Sequence, residues 1–142
     1  MAKRDSVMIS LRSVSEVRFL MTTGRLGDEY RGDNLQIGFM NNIQPNLEEN
    51  LFVIHFGVQY TLDNEVILES VYSFEFEIPN LEQYVTKDEQ GKIQVTGIMP
   101  HLVSVAVGTM RGILVVKTSG TDLAKYPIPM MDPVSLCNNL AK

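Results

Sequence analysis

Strict alternation of apolar and polar residues predicts two neighbouring strands in the middle of the chain. Residues 51–62, "LFVIHFGVQYTL", are apolar at every second position. The apolar set is Phe52, Ile54, Phe56, Val58, Tyr60 and Leu62. The alternation restarts after "DNE" in residues 66–78, and the short connection at Asp63 and Asn64 is typical of a hairpin turn.

Two earlier segments alternate in the same way and predict two more strands. In residues 34–44 the apolar phase is Leu35, Ile37, Phe39 and Ile43. In residues 7–21 it is Val7, Ile9, Leu11, Val17, Phe19 and Met21. Ser13 and Ser15 interrupt this first strand, so we expect it to be bent in the middle. Loops are expected at 24–33, 45–50 and 79–92.

Residues 97–120, "GIMPHLVSVAVGTMRGILVVKTSG", fit both a strand and a helix. Alternation over 103–108 favours a strand, but strands average about 5 to 6 residues and helices about 11 to 12. Pro100 suits a first helical turn and Gly120 suits the position after a helix. The length therefore predicts a helix of about five turns, at 3.6 residues per turn.

This helix has no clearly polar face. His101, Ser104, Gly108 and Arg111 form one narrow stripe, and the other positions are apolar. A single sheet covers only one side of a helix, so a second apolar partner is required. A homo-oligomer is the commonest solution. The residues expected at such an interface are Val103, Val107, Met110 and Leu114.

The last part of the sequence predicts an extended segment and a short helix. Pro127 and Pro129 keep the backbone extended, Asp132 is a good N-cap residue, and Pro133 suits the first helical position. The predicted fold class is α+β, with one domain over 1–142. It has four strands, a long helix packed on their sheet, and a short C-terminal helix.

Composition favours an ordinary globular protein without nucleic-acid partners. The chain is 44% hydrophobic and 20% charged, and its net charge is −5, which disfavours a phosphate backbone and favours basic polypeptide segments. No secretory signal is present, and the charges within the long helix disfavour membrane insertion. A cytoplasmic location is expected. Cys137 has no second cysteine with which to form an intrachain disulfide.

Recognisable catalytic or metal-binding motifs are missing from the sequence. It has no Gly-rich phosphate loop, no paired cysteines and no His-x-x-x-His spacing. His55 and His101 do not form a motif. Glu75 and Glu77 share one strand face, which is typical of a solvated surface or of a docking surface. We therefore predict a binding protein that is not an enzyme and that uses no cofactor or metal.

Three segments together carry a resemblance to a known family: the hairpin of residues 51–78, the helix that opens with "MPHLVSVAVGTMRGILVV", and the following "SGTDLAKYPIPMMDPVSL". With them the chain resembles the SecB family of protein-export chaperones. The resemblance implies a four-stranded antiparallel sheet and a dimer of dimers with the long helices between sheets. It also implies ATP-independent holding of unfolded polypeptides, mainly preproteins for export, along hydrophobic grooves.

The resemblance also implies a docking face for the translocation ATPase SecA. Ile67 and Glu69 on the fourth strand, and Glu16 on the first, match the family positions that dock SecA. Two departures leave other partners open: Leu20 stands at an acidic family position, and no acidic tail follows the last helix. The alternatives are a chaperone dedicated to an antitoxin and an adaptor subunit in a permanent complex.

The run "YPIPMMDP" is the predicted client-binding segment. Its prolines hold an extended backbone, and unbranched methionine side chains adapt to many apolar partners. The residues expected to contact clients are Tyr126, Ile128, Met130 and Met131, together with Val17 and Phe19 on the first strand. The alternative for the methionines is that they fill gaps in the core.

Overall fold

A computed structural model of the chain describes residues 8–24 and 34–140. Four antiparallel strands form its main sheet, in the spatial order β1-β4-β3-β2. They are β1 Ser10–Met21, β2 Leu35–Asn46, β3 Leu51–Leu62 and β4 Glu65–Glu77. The predicted four strands are confirmed, and β1 and β2 are the two edges. Val7 and the predicted loop from residue 25 to 33 lie outside the described residues.

The predicted hairpin of β3 and β4 forms the centre of the sheet. All six alternating apolar side chains of β3 are buried, with exposed fractions of 0 or 1%. The turn residues Asp63 and Asn64 have φ angles of 50° and 67°. A two-residue type I′ turn requires this left-handed conformation at both central positions, and Asp and Asn tolerate it.

The edge strand β1 is bent, as its interrupted pattern predicted. Its pairing with β4 shifts register between Leu11 and Ser13 and again between Glu16 and Arg18. Each shift inserts an extra residue, which bends a strand and increases its twist. Most of β1 is exposed, including the apolar side chains of Leu11, Val14 and Val17.

The connection from β4 to the long helix contains a second, two-stranded sheet that the sequence pattern did not predict. A 3₁₀ turn at Leu81–Gln83 is followed by β5 Val85–Lys87 and β6 Ile93–Val95, which pair antiparallel. Leu81 and Val85 are buried in the main core. The expected loop at 79–92 is therefore partly a short hairpin that covers one end of the sheet.

The long helix α1 spans Met99–Lys117, as predicted. Six of its side chains are buried: Leu102, Val103, Ala106, Val107, Met110 and Leu114. By length and composition alone α1 is also long and apolar enough to cross a membrane. Core helices of soluble proteins meet the same criterion, and the buried side of α1 belongs to the same core cluster as the sheet.

The chain after α1 runs back over the core and ends in α2. A 3₁₀ turn at Asp122–Lys125 leads to an extended segment, residues 126–131, which we call the strap. Helix α2 spans Pro133–Leu140 and contacts α1 and β2. Asp132 caps it as predicted: its Oδ1 accepts from the Val134 N–H at 3.1 Å, and its Oδ2 accepts from the Ser135 hydroxyl at 3.1 Å.

Candidate functional site

A groove of about 640 Å³ runs along the helix side of edge strand β2. Four elements surround it: β2, the β5–β6 hairpin, the first turn of α1, and α2. Its lining residues are Asn41, Ile43, Lys92, Ile93, Gln94, Val95, Thr96, Met99, Pro100, Val134, Cys137 and Asn138. We call it the β2–α2 groove. This volume and this mixed apolar and polar lining are typical of a ligand-binding cleft.

Asn41 gives the groove an unsatisfied hydrogen-bond acceptor. Its Oδ1 atom is buried and has no hydrogen-bond partner among the described residues. Buried polar atoms are nearly always paired in folded proteins, because an unpaired one costs about 1 to 3 kcal/mol. In the described part of the chain, β2 pairs with β3 alone, so its outer edge beside the groove is also unpaired. An extended polypeptide supplies the N–H and C=O groups that such an edge lacks.

A second, smaller hollow of about 150 Å³ lies on the other side of α2. Its lining residues are Ser104, Val107, Arg111, Met130, Met131, Pro133 and Leu136. We call it the Met131 pocket. Pro133 and Leu136 of α2 line this pocket, whereas Val134 and Cys137 line the β2–α2 groove. Helix α2 therefore separates two hollows.

The strap is held by three hydrogen bonds to its backbone carbonyl groups. Arg111 Nε donates to the Ile128 carbonyl at 2.9 Å, and Arg111 Nη2 donates to the Pro129 carbonyl at 2.8 Å. The Tyr60 hydroxyl donates to the Tyr126 carbonyl at 2.5 Å, and burial raises the pKa of Tyr60 to about 12. Both donors hold backbone atoms of the strap, in addition to the anchoring of its Ile128 side chain in the core.

The predicted client-binding residues of the strap have different environments. Ile128 is 2% exposed and belongs to the core, so its side chain is not available to a client, contrary to our expectation. Tyr126 and Met131 are half-buried, and Met130 is 89% exposed. Of the four, Met130 and Met131 offer apolar surface at the Met131 pocket, whereas Tyr126 lines a separate hollow beside Leu114.

Val17 and Phe19 do not share a surface with the β2–α2 groove. They lie on β1, and β1 and β2 are opposite edges of the sheet. Three strand spacings of about 4.8 Å separate the two edges by about 14 Å. Val17 is 54% exposed, whereas Phe19 is half-buried with the Lys117 ammonium 4.5 Å from its ring centroid. The exposed part of Val17 is therefore a surface separate from this groove.

Glu16 lies on the helix side of the sheet and is part of an ion-pair cluster. Its Oε1 accepts from Lys117 Nζ at 2.7 Å and from the Tyr72 hydroxyl at 3.0 Å. The hydrogen bond from Lys117 is the largest cause of the lowered pKa of Glu16, and the same bond raises the pKa of Lys117. Burial, followed by the bond to Glu16, raises the pKa of Tyr72.

The residues expected to dock SecA do not form one surface. Glu16 faces the helices, whereas Glu69 faces the open side of the sheet and lies 3.4 Å from Arg18. Ile67 is fully buried, because a register shift in β4 turns both Ile67 and Leu68 inward. Ile67 is therefore unavailable for docking, and Glu69 alone of the three lies on the open face.

The four residues expected at an oligomer interface are buried within the chain. Val103, Val107, Met110 and Leu114 are between 0 and 7% exposed and pack in the core. The narrow stripe seen in the sequence marks the opposite side, because His101, Ser104 and Gly108 are all exposed. The exposed side of α1 carries a different set: His101, Ser104, Val105, Gly108, Gly112, Val115 and Val116.

Sequence reasoning missed the β2–α2 groove, although one signal was present. The apolar phase of β2 runs through Leu35, Ile37 and Phe39, and then skips Asn41 before Ile43. A polar residue at an inward position marks either a buried hydrogen bond or a binding surface. The other groove residues come from β6, α1 and α2, and only the tertiary structure brings them together.

Comparison of the structure with solved structures found a clear match in fold. A SecB-like chaperone from Mycobacterium tuberculosis, in complex with a peptide from an antitoxin, aligns with a TM-score of 0.57 over 87% of this chain and 89% of that chain, at 13% identity. The chain has a SecB-like fold. A protein of unknown function from Streptococcus agalactiae aligns with a TM-score of 0.35, at 9% identity, over 89% of this chain and 98% of that chain.

Comparisons at the sequence level gave no further relatives. No protein-family model matches the chain, and no curated protein matches it. The resemblance expected from the sequence is thus confirmed for the fold. Among the described residues, no three histidine, cysteine, aspartate or glutamate side chains are grouped so that they could hold a metal ion.

Proposed function

We propose that this protein is an ATP-independent chaperone that holds unfolded polypeptides in the cytoplasm. The observation that carries the proposal is the β2–α2 groove, where apolar side chains, the unpaired Asn41 acceptor and the unpaired edge of β2 lie together. An extended segment of a client pairs with β2 as an added strand, and its alternate side chains enter the groove. The SecB-like fold supports the same function.

Suppression of aggregation tests the proposal. The protein should keep several unrelated denatured enzymes from aggregating, without ATP. Ile93→Asp puts a charge into the groove and should remove most of this activity. Val66→Asp is the matched control, because Val66 is an apolar strand residue, 38% exposed, that does not line the groove. Equal activity of the two variants would place client binding elsewhere.

The second candidate function is a chaperone dedicated to one client, such as an antitoxin. The fold neighbour from Mycobacterium tuberculosis was solved with an antitoxin peptide, and the groove suits one extended segment as well as many. Protection of a single protein from its host, with no protection of unrelated enzymes, would favour this candidate. An adaptor subunit in a permanent complex would give the same result in this assay. It differs from a dedicated chaperone because its partner does not dissociate.

Delivery of preproteins to SecA for export is a finer part of the proposal. Glu69, Glu75 and Glu77 lie on the open face of the sheet, which supports an acidic docking surface. Glu69→Lys should weaken binding to SecA from the same host and leave client binding unchanged, because a charge at an interface rim acts mainly through electrostatic complementarity. If the unsubstituted protein does not bind SecA, the delivery of preproteins to SecA is contradicted, and the proposed chaperone function is unaffected.

We also propose a homo-oligomer, up to the dimer of dimers that the resemblance implies. The exposed side of α1 supports it, because Val105, Val115 and Val116 are 41, 56 and 75% exposed. Gly108 and Gly112 lie on the same side, and a Cβ at either would meet nothing within 4 Å. These features allow close approach of a second helix.

Light scattering on a sizing column tests the assembly. Gly112→Gln should leave each chain folded, since glycine is the poorer helix former, and should reduce the oligomer mass. Gly38→Gln is the control, because Gly38 also has open space at its Cβ but lies in β2. A monomer mass of 16.0 kDa for the unsubstituted protein would contradict the proposed assembly.

A further inference from the structure

The two hollows beside α2 share one charge pattern. Of the residues that line the β2–α2 groove, Lys92 alone is charged. Of those that line the Met131 pocket, Arg111 alone is charged. Neither hollow has an acidic residue among its described lining residues, although the chain has 17 acidic residues and 12 basic ones. The cations are thus at the hollows and the acidic excess is elsewhere.

Part of the acidic excess lies on the open face of the sheet, away from the helices. Glu69, Glu75 and Glu77 alternate with the buried residues of β4 and therefore point to that face. Arg18 lies 3.4 Å from Glu69, and Arg12 lies 3.5 Å from Glu77. The net charge of −5 therefore does not describe the surface that a client meets in the groove.

The two cations keep their charge available to a ligand. Arg111 donates to two backbone carbonyl groups of the strap, which are neutral. Lys92 is exposed at the start of β6. Two acidic residues lie in the turn of that hairpin. Asp88 accepts from the backbone N–H groups of Gln90 at 2.9 Å and Lys92 at 2.8 Å, so its carboxylate is held in the turn. Glu89 is exposed and does not line the groove.

We propose that the β2–α2 groove prefers apolar polypeptide segments flanked by an acidic residue, which Lys92 contacts. This inference rests on the proposed function of the groove and specifies its ligands. It reverses the preference for basic segments that the net charge alone predicts. Because Lys92 is exposed, its ion pair with the client contributes little to the binding affinity, as is usual for surface ion pairs. Its main effect is to favour one client over another.

Binding of three matched peptides tests the preference. The peptides share one extended apolar sequence and differ at a single flanking position, which is Glu, Gln or Lys. Fluorescence anisotropy with the full chain at low salt should show that the Glu peptide binds about three- to tenfold more tightly than the Lys peptide, as attraction in one exposed pair replaces repulsion in the other. The difference should shrink at high salt.

Charge variants of the β5–β6 hairpin identify the residue responsible. Lys92→Glu should reverse the order of the Glu and Lys peptides, and Lys92→Gln should make them equal. Lys87→Glu is the matched control, because Lys87 is an exposed lysine of the same hairpin that does not line the groove, and the order should be kept. Circular dichroism confirms that each variant is folded.

The outcomes separate the two proposals. If none of the three peptides binds, the groove is not a polypeptide site, and both the proposed function and the acidic preference fail. If the Gln peptide binds, but the Glu and Lys peptides bind equally or keep their order in Lys92→Glu, then the acidic preference alone is overturned. The proposed function then stands with a groove that is indifferent to charge.

Discussion

The ammonium group of Lys117 lies 2.7 Å from the carboxylate of Glu16, and it joins the last turn of α1 to the edge strand β1. The two residues are 101 positions apart in the sequence. The same carboxylate accepts from Tyr72, and the same ammonium lies over the ring of Phe19. This cluster joins the mostly exposed strand β1 to α1, and it adds to the antiparallel ladder that holds β1 beside β4.

Loss of this ion pair should lower the melting temperature by a small amount that depends on pH. The lowered pKa of Glu16 means that its stabilisation is present above its ordinary value of 4.5 and is lost as pH falls through the folded-state pKa. The raised pKa of Lys117 means that its stabilisation is present below 10.5 and is lost as pH rises through the folded-state pKa. Thermal melts of Glu16→Gln should therefore differ from the unsubstituted protein near neutral pH and converge with it in acid. Glu75→Gln, on the open face, is the control and should show no such convergence.

Arg111 should be required for the ordered path of the strap. Arg111→Met keeps much of the side-chain volume and removes both hydrogen bonds to the strap, and Arg111→Lys cannot reproduce the planar pair of donors. Amide hydrogen exchange at the four strap residues other than proline should become faster in both variants, while the exchange of β3 stays unchanged. Arg18→Met removes an exposed arginine from β1 and should leave strap exchange as it was. Unchanged exchange in Arg111→Met would mean that Tyr60 and the buried Ile128 hold the strap without it.

Replacement of Asn41 by an apolar residue should make the protein more stable and weaken its binding of peptides. Asn41→Leu removes a buried acceptor that has no partner, and should raise the free energy of unfolding by about 1 kcal/mol, as measured by urea denaturation. The same change should weaken binding of an extended peptide, because the peptide loses an acceptor. Asn42→Leu is the control, because it alters the exposed neighbour on the same strand. It should neither raise the free energy of unfolding nor weaken the binding of the peptide. A loss of stability in Asn41→Leu would show that the side chain is satisfied in the folded protein.

The two methionines of the strap should differ in their effects. Met130 is 89% exposed, so Met130→Ala should leave the melting temperature unchanged. Met131 lines the pocket beside α2, so Met131→Ala should lower stability modestly. If the strap contacts clients, the double variant should lose about 1 to 3 kcal/mol of client affinity, from ordinary values for burying such side chains. A large stability loss with unchanged client binding would identify both residues as structural.

Periodicity predicted the fold well wherever one face of an element is polar. The alternation in residues 51–62 fixed the buried face of β3, and Asp132 with Pro133 fixed the start of α2. The β5–β6 hairpin was missed because its strands have three residues each, which is too short for a period to appear. Ile67 was misplaced because a register shift changes the facing of a strand without a signature in the sequence.

The candidate site was less predictable, because its position depends on which elements meet. In α1 the stripe through His101 and Ser104 lies on the exposed side, but Val105 and Val116 on that side are apolar too. Hydrophobicity alone therefore did not distinguish the outward valines from Val103 and Val107 in the core. The β2–α2 groove was missed because its lining comes from β2, β6, α1 and α2, which meet only in the tertiary structure. The place of β2 at the edge depends on the strand order, and strand order is a property of the whole sheet.

The strand order also has a consequence for how the protein reaches its folded state. Strands β2, β3 and β4 are consecutive in the chain and pair as neighbours, so they form through short loop closures. Strand β1 pairs with β4 across a long separation, for example Glu16 with Tyr72, and such distant pairings form slowly. We therefore expect β1 to dock last and the edge of β4 to be open until then. In that case the three-stranded sheet would expose, during folding, an unpaired strand edge of the kind that another polypeptide can pair with.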